Sequence, residues 1–315
     1  MTVLALRALG IGDLATAVPA LRALRAAFPA RRMLLAAPDW LAPLAELTGA
    51  VDRLVPLPGL AGPPGALPPP WVAVNLHGRG PESHRLLAAL RPGRLIAFRN
   101  PAAGHLDGPQ WREGEHEVAR WCRLLDWYGI PAYPGDLSLH VPAVPPPVPA
   151  AAIVHPGSSC AARRWPARRF AEVARHLHRA GHHVVVTGSP AERRLAQRVA
   201  AMAGLAPASA LAGHTDVGAL AALVAAARLV VSGDTGVAHL ATAYGTPSVV
   251  LFGPEPPARW APPAGRGQHR VLWHGVRGLR SIPVPEVLSA AAEISTAQLS
   301  PARPAAVRAA SPGTG

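Results

Sequence analysis

Short, uninterrupted apolar runs alternate along this chain with segments whose apolar residues recur every three to four positions. The first pattern predicts strands buried on both faces, and the second predicts amphipathic helices. Residues 2–9, TVLALRAL, read as the first buried strand. Gly10-Ile11-Gly12-Asp13 turns out of it into a helix with Leu14, Val18, Leu21, Leu24 and Phe28 at helical spacing. Asp13 stands where an N-cap would, and Pro19 within the first turns is expected to bend or delay the helix. Strands are predicted near residues 32–37, 53–57, 71–76 and 94–98, and helices near 40–47, 82–90 and 115–128. The last of these helices turns Val118, Trp121, Cys122, Leu125 and Tyr128 inward. Residues 58–70, rich in glycine and proline, form a loop.

Residues 129–150 are proline-rich and suit a semi-rigid connector rather than a core element. The pattern then restarts. A strand at 151–154 ends in His155-Pro156-Gly157-Ser158-Ser159, and Arg163-Arg164-Trp165-Pro166 leads into a helix at 167–180 with Pro166 near its N1 position. A strand at 183–187 is followed by a helix at 191–203, with Glu192 in its first turn, where a carboxylate favours the helix dipole. A turn at 213–216 and an alanine-rich helix precede the strand at 229–231. After the turn at 232–236, Val237, Leu240, Ala241 and Tyr244 mark one helical face; Gly245 and Pro247 stop that helix. Strands at 248–252 and 270–273 and a helix at 285–294 complete the series. This alternation predicts an α/β protein with two Rossmann-like domains, at residues 1–130 and 151–295, joined by the linker 131–150. From Thr296 onward Pro, Ala, Ser, Arg and Gly dominate, and a disordered tail is expected over 296–315.

Composition changes this picture little. The chain has 315 residues, half of them hydrophobic, and a formal charge of +13. All the cationic residues other than histidine are arginine, which shares GC-rich codons with the equally abundant alanine, proline and glycine. No basic run interleaved with aromatics and no nucleic-acid motif is present, so nucleic acid is not an expected partner. A basic surface suits an anionic, lipid-linked acceptor and peripheral contact with an anionic membrane. No apolar run reaches spanning length and the start of the chain lacks a signal-peptide layout, so a cytoplasmic location is expected. Cys122 and Cys160 make neither a disulfide framework nor a metal-ligand cluster, and there is no Asp-x-Asp motif; neither a metal nor a cofactor is expected.

Candidate chemistry gathers at the turns. Ser232-Gly233-Asp234-Thr235-Gly236 offers free backbone N–H groups, small residues and a hydroxyl at a helix N-terminus, which suits a phosphate-bearing ligand. Arg163 and Arg164 read either as phosphate ligands or as solvated loop charge. Asp13 reads either as a helix cap or as a catalytic carboxylate. His77 and the neighbouring arginines read either as acceptor contacts or as ordinary loop residues. The Gly-x-Gly-Asp turn lacks the third glycine of the dinucleotide fingerprint, which disfavours a NAD-dependent oxidoreductase.

Several of these residues carry a family resemblance. Asp234-Thr235-Gly236, His239, the alanine-rich helix, Gly245-Thr246-Pro247, Leu251-Phe252-Gly253-Pro254 and Trp260 resemble the signature of glycosyltransferase family 9, the heptosyltransferases of lipopolysaccharide core synthesis and their relatives. Gly12-Asp13 with the Pro19 helix, and His155-Pro156-Gly157 followed by Arg163, Trp165 and Pro166, resemble two further segments of that family. The resemblance implies a GT-B architecture, with two Rossmann-like domains facing each other across a cleft. It also implies inverting, metal-independent transfer of a sugar from a nucleoside diphosphate sugar, typically ADP-heptose, to a glycan or glycolipid hydroxyl. On that reading Asp13 is catalytic, and Ser158, Ser159, Arg163, Arg164, Glu192, Asp234, Thr235, Gly236 and His239 bind the donor. Arg163 stands where the family usually has lysine, and its planar fork is not a point charge. An epimerase of the same architecture and a non-catalytic nucleotide-sugar binding protein remain alternatives.

Overall fold

Each predicted apolar run becomes a strand of one of two parallel sheets. The computed structural model describes residues 1–62, 67–160, 163–253 and 255–299. In the first sheet, β1 (Thr2–Leu6), β2 (Arg32–Ala37), β3 (Arg53–Pro56), β4 (Val72–Asn75) and β5 (Arg94–Ile96) lie in the order β3-β2-β1-β4-β5. Val3 sits between Met33 on β2 and Val72 on β4. In the second sheet, β6 (Ala152–His155), β7 (Val184–Val186), β8 (Leu229–Gly233), β9 (Ser248–Leu251) and β10 (His269–Leu272) lie in the order β10-β9-β8-β6-β7. Strand order reverses between β1 and β4 and again between β6 and β8. At such points the connections leave to opposite sides, and a crevice opens outside the carboxyl ends of the strands.

Helices cover both sheets: α1 (Ile11–Ala27), α2 (Ala42–Leu47), α3 (Glu82–Ala89) and α4 (Glu117–Trp127) in the first half, and α5 (Ala167–Arg179), α6 (Arg193–Ala203), α7 (Val217–Ala225), α8 (Gly236–Tyr244) and α9 (Val284–Leu299) in the second. The two halves are not separate cores. Leu14, Val18 and Leu21 of α1 belong to one apolar cluster with Val237, Leu240 and Ala241 of α8 and with Leu223 and Val224 of α7. α1 packs on α8 and α2 on α7, so a single helical layer lies between the sheets. The outer face of each sheet has its own core.

Five expectations change. Gly10, in an extended conformation, is the N-cap of α1, and Asp13 is the N3 residue whose carboxylate reaches back to the Gly10 N–H at 3.1 Å. The helix runs through Pro19 without interruption. Residues 129–150 carry no helix or strand, yet Ile130, Ala132, Leu137 and Leu139 are buried in the shared core, so the first half of the connector is anchored there while residues 140–150 bury no side chain fully. Glu192 closes a 3-10 turn, Pro190–Glu192, ahead of α6 rather than lying in its first turn. At the end of the chain, α9 continues through Leu299, beyond the expected limit; the rest of the expected tail, Pro254 and residues 63–66 lie outside the described residues.

Candidate active site

The crevices of the two sheets meet where α1 and α8 begin. A Cβ on Gly12 would come within 2.6 Å of His239 Cδ2, and one on Gly236 within 2.7 Å of Ile11 Cβ. Only glycine at both positions lets the first turns of the two helices approach this closely. Thr235 is the N-cap of α8, but its side chain caps no backbone N–H. Two positive helix ends therefore converge, and one has no side-chain cap over its first N–H groups, an arrangement that attracts an anion.

Asp13 faces this junction from the first half. Its side chain is 28% exposed, and one carboxylate oxygen accepts from Gly10 N. The other lies 3.4 Å from Arg7, which is wholly buried. Arg7 also donates to the Asp13 carbonyl at 2.9 Å, to the Leu76 carbonyl, and to Glu117 Oε1 at 2.9 Å. Its guanidinium stacks 4.7 Å over the Trp121 ring. Glu117 in turn pairs with Arg120 and accepts from Trp121 Nε1 at 3.0 Å. Burial opposes ionisation of Glu117, but Arg7, Arg120 and the Trp121 N–H outweigh it and hold its pKa below the usual carboxylate range. These two arginines and two carboxylates thus form a charge-balanced network that fixes the Asp13 backbone and one of its oxygens.

The second half presents looser groups. Asp234 and His239 approach to 3.6 Å, and the His239 ring packs edge-on against Trp260 at 5.6 Å between centroids. Arg163 is exposed and shares a small groove with Asp234, Leu251, Gly253 and Glu255. At the neighbouring end of β6, Ser158 is buried and its carbonyl accepts two Arg164 N–H groups at 3.0 and 2.6 Å. Ser159 is exposed. Glu192 lies against Gly157, 3.7 Å from Arg164, and accepts from the Ser189 N–H and hydroxyl, both at 2.9 Å. Burial would raise its pKa; the Ser189 donors, His155 and Arg164 overcome that and lower it. His155, which bonds Thr187 Oγ1 at 2.9 Å, is kept neutral mainly by burial.

The structure thus brings the Ile11-Gly12-Asp13 turn against Gly236 and His239, with Asp234 3.6 Å from His239, and sets Arg163 beside Asp234. Ser158, Arg164 and Glu192 form a second cluster on the adjoining strand ends. Sequence reasoning missed Arg7, Glu117 and Arg120. The available signal was Arg7 itself, a lone charge in an apolar strand, which demands a buried partner. Among the described residues, no group of three or more His, Cys, Asp or Glu side chains is placed to hold a metal ion. No described helix is long and apolar enough to cross a membrane.

Known proteins resemble this chain in sequence and in fold. The chain is 37% identical over 112 residues to the lipopolysaccharide core heptosyltransferase OpsX of Haemophilus influenzae, covering 35% of this chain and 32% of that protein. It is 34% identical over 152 residues to lipopolysaccharide heptosyltransferase 1 of Pseudomonas aeruginosa, covering 46% and 41%. These alignments span less than half the length of the curated relatives. The fold likeness spans nearly all of both chains. ADP-heptose lps heptosyltransferase II of Escherichia coli superposes with a TM-score of 0.77 at 21% identity, covering 95% of this chain and 100% of the other. The E. coli heptosyltransferase WaaC, solved with ADP, gives 0.71 at 19% identity, covering 92% and 98%. The two parallel sheets are therefore those of the GT-B architecture. The model of glycosyltransferase family 9 (heptosyltransferase) matches residues 114–274, more than half the chain, including both turns of the second crevice, and to that family this chain belongs.

Proposed function

We propose that this protein transfers a heptose from ADP-heptose to a hydroxyl of a lipopolysaccharide core acceptor, with inversion and without a metal ion. The observation that supports the reading is the junction of α1 and α8, where Ile11 and Gly12, the residues just before Asp13, meet Gly236 and His239 at a helix N-terminus that has no side-chain cap. Solved relatives include one described as an ADP-heptose enzyme and one solved with ADP.

In this reading the diphosphate lies over Asp234, Thr235 and Gly236, with His239, Arg163 and Arg164 beside it. Glu192, held ionised, accepts hydrogen bonds from the ribose diol, and Ser158 and Ser159 line the same side. The acceptor oxygen attacks the anomeric carbon from the side opposite the diphosphate. As that bond forms, the bond from carbon to phosphate oxygen breaks and its electron pair leaves with ADP. Asp13 takes the hydroxyl proton. The arginines and the α8 N-terminus stabilise the departing charge in the role a metal ion has elsewhere. The acceptor enters from the first half, at the inner face of an anionic membrane.

The test is incubation of the protein with ADP-heptose and heptose-free lipopolysaccharide, with and without a chelator. Mass spectrometry should show one added heptose per acceptor, NMR the inverted linkage, and the chelator no effect. An altered nucleotide sugar without transfer would make the protein an epimerase. Binding without either reaction would make it a binding protein.

A further inference from the structure

β4 borders β1 at the point where the first sheet reverses its order, so the residues after β4 open into the same crevice as Asp13. His77 is one of them. Arg7, which pairs with Asp13, also donates to the carbonyl of Leu76, the residue before His77. One guanidinium therefore connects the backbone beside His77 with the Asp13 carboxylate.

The loop holds His77 firmly by its backbone while leaving its ring unengaged. The His77 N–H donates to Asn75 Oδ1 at 3.0 Å. The buried Asn75 amide donates to Ser83 Oγ at 2.9 Å and to His84 Nδ1 at 3.0 Å. With Nδ1 accepting, His84 uses its Nε2–H toward the Phe98 carbonyl at 2.8 Å. Both nitrogens of His84 are thus engaged. The half-buried His77 ring contrasts with it, because its Nδ1 is buried without any hydrogen-bond partner. An orphaned buried polar atom costs stability and calls for a reason. Burial first, and then Arg7, lower the His77 pKa, with Asp13 opposing, so the ring is neutral at neutral pH. A neutral imidazole both donates and accepts, which matches a sugar polyol better than a cation or an anion does.

We propose that His77 is an acceptor-binding residue: its imidazole hydrogen-bonds a second hydroxyl of the acceptor sugar and so fixes which hydroxyl meets Asp13. This rests on the transferase reading above. A second point of attachment removes rotational freedom about the first, and it acts on orientation rather than on the proton transfer itself.

The experiment uses the full chain with ADP-heptose and heptose-free lipopolysaccharide, comparing wild type, His77→Ala and His77→Gln. His77→Ala should raise the acceptor KM about three- to tenfold, the range for one neutral hydrogen bond, and give a mixture of product linkages. The ADP-heptose KM, ADP affinity and Tm should not move, and His77→Gln should recover most of the loss. Transfer by the wild type with an unchanged acceptor KM and a single linkage in His77→Ala overturns the inference and leaves the transferase reading standing. A fall in Tm without rescue by glutamine makes His77 structural and also overturns it. Collapse of turnover in His77→Ala while Asp13→Asn stays active would make His77 the base instead. No transfer by the wild type removes both readings together.

Discussion

The two crevices treat charge in opposite ways. At the end of β1 the charged groups are closed on one another: Arg7, Asp13, Glu117 and Arg120 are paired, and Trp121 packs on the cluster. At the end of β8 the backbone donors are open, Thr235 caps nothing, and Arg163 stands exposed. In the proposed transferase the contrast follows from what each side would have to do. A base has to hold a fixed direction through each turnover. A diphosphate site has to present its positive potential to a ligand that brings the negative charge with it. The first crevice is preorganised by its own partners, and the second is completed by its ligand.

Changes that break one side and spare the other test this contrast. The largest effect is expected from Asp13→Asn, which removes proton acceptance but keeps an oxygen for Gly10 N. Turnover should fall about a hundred- to ten-thousandfold, with ADP affinity nearly unchanged and a smaller fall in Tm from the lost 3.4 Å contact with Arg7. Survival of turnover together with lost stability would reduce Asp13 to a helix cap. Next is Arg7→Met. Leaving Glu117 buried with one cation fewer should cost about 3–5 kcal/mol in urea unfolding, the usual penalty for breaking a buried pair. The Arg7→Met, Glu117→Gln double variant should lose less than the sum of the singles, because the two side chains touch. Strict additivity would mean that the network is not a unit.

On the open side, Arg163→Ala should weaken ADP binding by about 1.5–3 kcal/mol in calorimetry without altering stability, since the side chain is exposed. Unchanged affinity would move the diphosphate away from this turn. The smallest effect concerns acid. The Ser189 donors, His155 and Arg164 hold the folded pKa of Glu192 below the ordinary value for a glutamate, so the unfolded state binds the proton more readily. Its contribution to stability is present above that value and is lost as pH falls through the folded pKa. Glu192→Gln should therefore flatten the dependence of Tm on pH below about 4.5. An equally steep decline in the variant would place the acid sensitivity elsewhere.

Much of the fold was legible because a strand covered on both faces must be apolar along its whole length. Leu229–Gly233 and Val184–Val186 announce themselves that way. Turns were legible through Gly, Pro and hydroxyl residues with local roles. What sequence left hidden is non-local. Arg7 and Glu117 are 110 positions apart, and no local pattern pairs them. The Asp13 position was misread by one turn because glycine offers no side-chain cap, which made the nearest aspartate look like the cap when it is the N3 residue reaching back. The packed connector was misread because proline content describes stiffness and says little about burial. His77 was noticed, but only the missing partner of its Nδ1 distinguishes it from an ordinary loop histidine.

The helical layer shared by the two sheets bears on how this chain is made. Leu14, Val18 and Leu21 on α1 are covered by α8, whose last residue is Tyr244. On a ribosome adding about 5–20 residues per second, the α1 face waits on the order of ten to forty seconds for its cover. During that interval a nearly complete first sheet carries an apolar stripe into water. A gene split at the connector should therefore yield two fragments that stay soluble only when produced together.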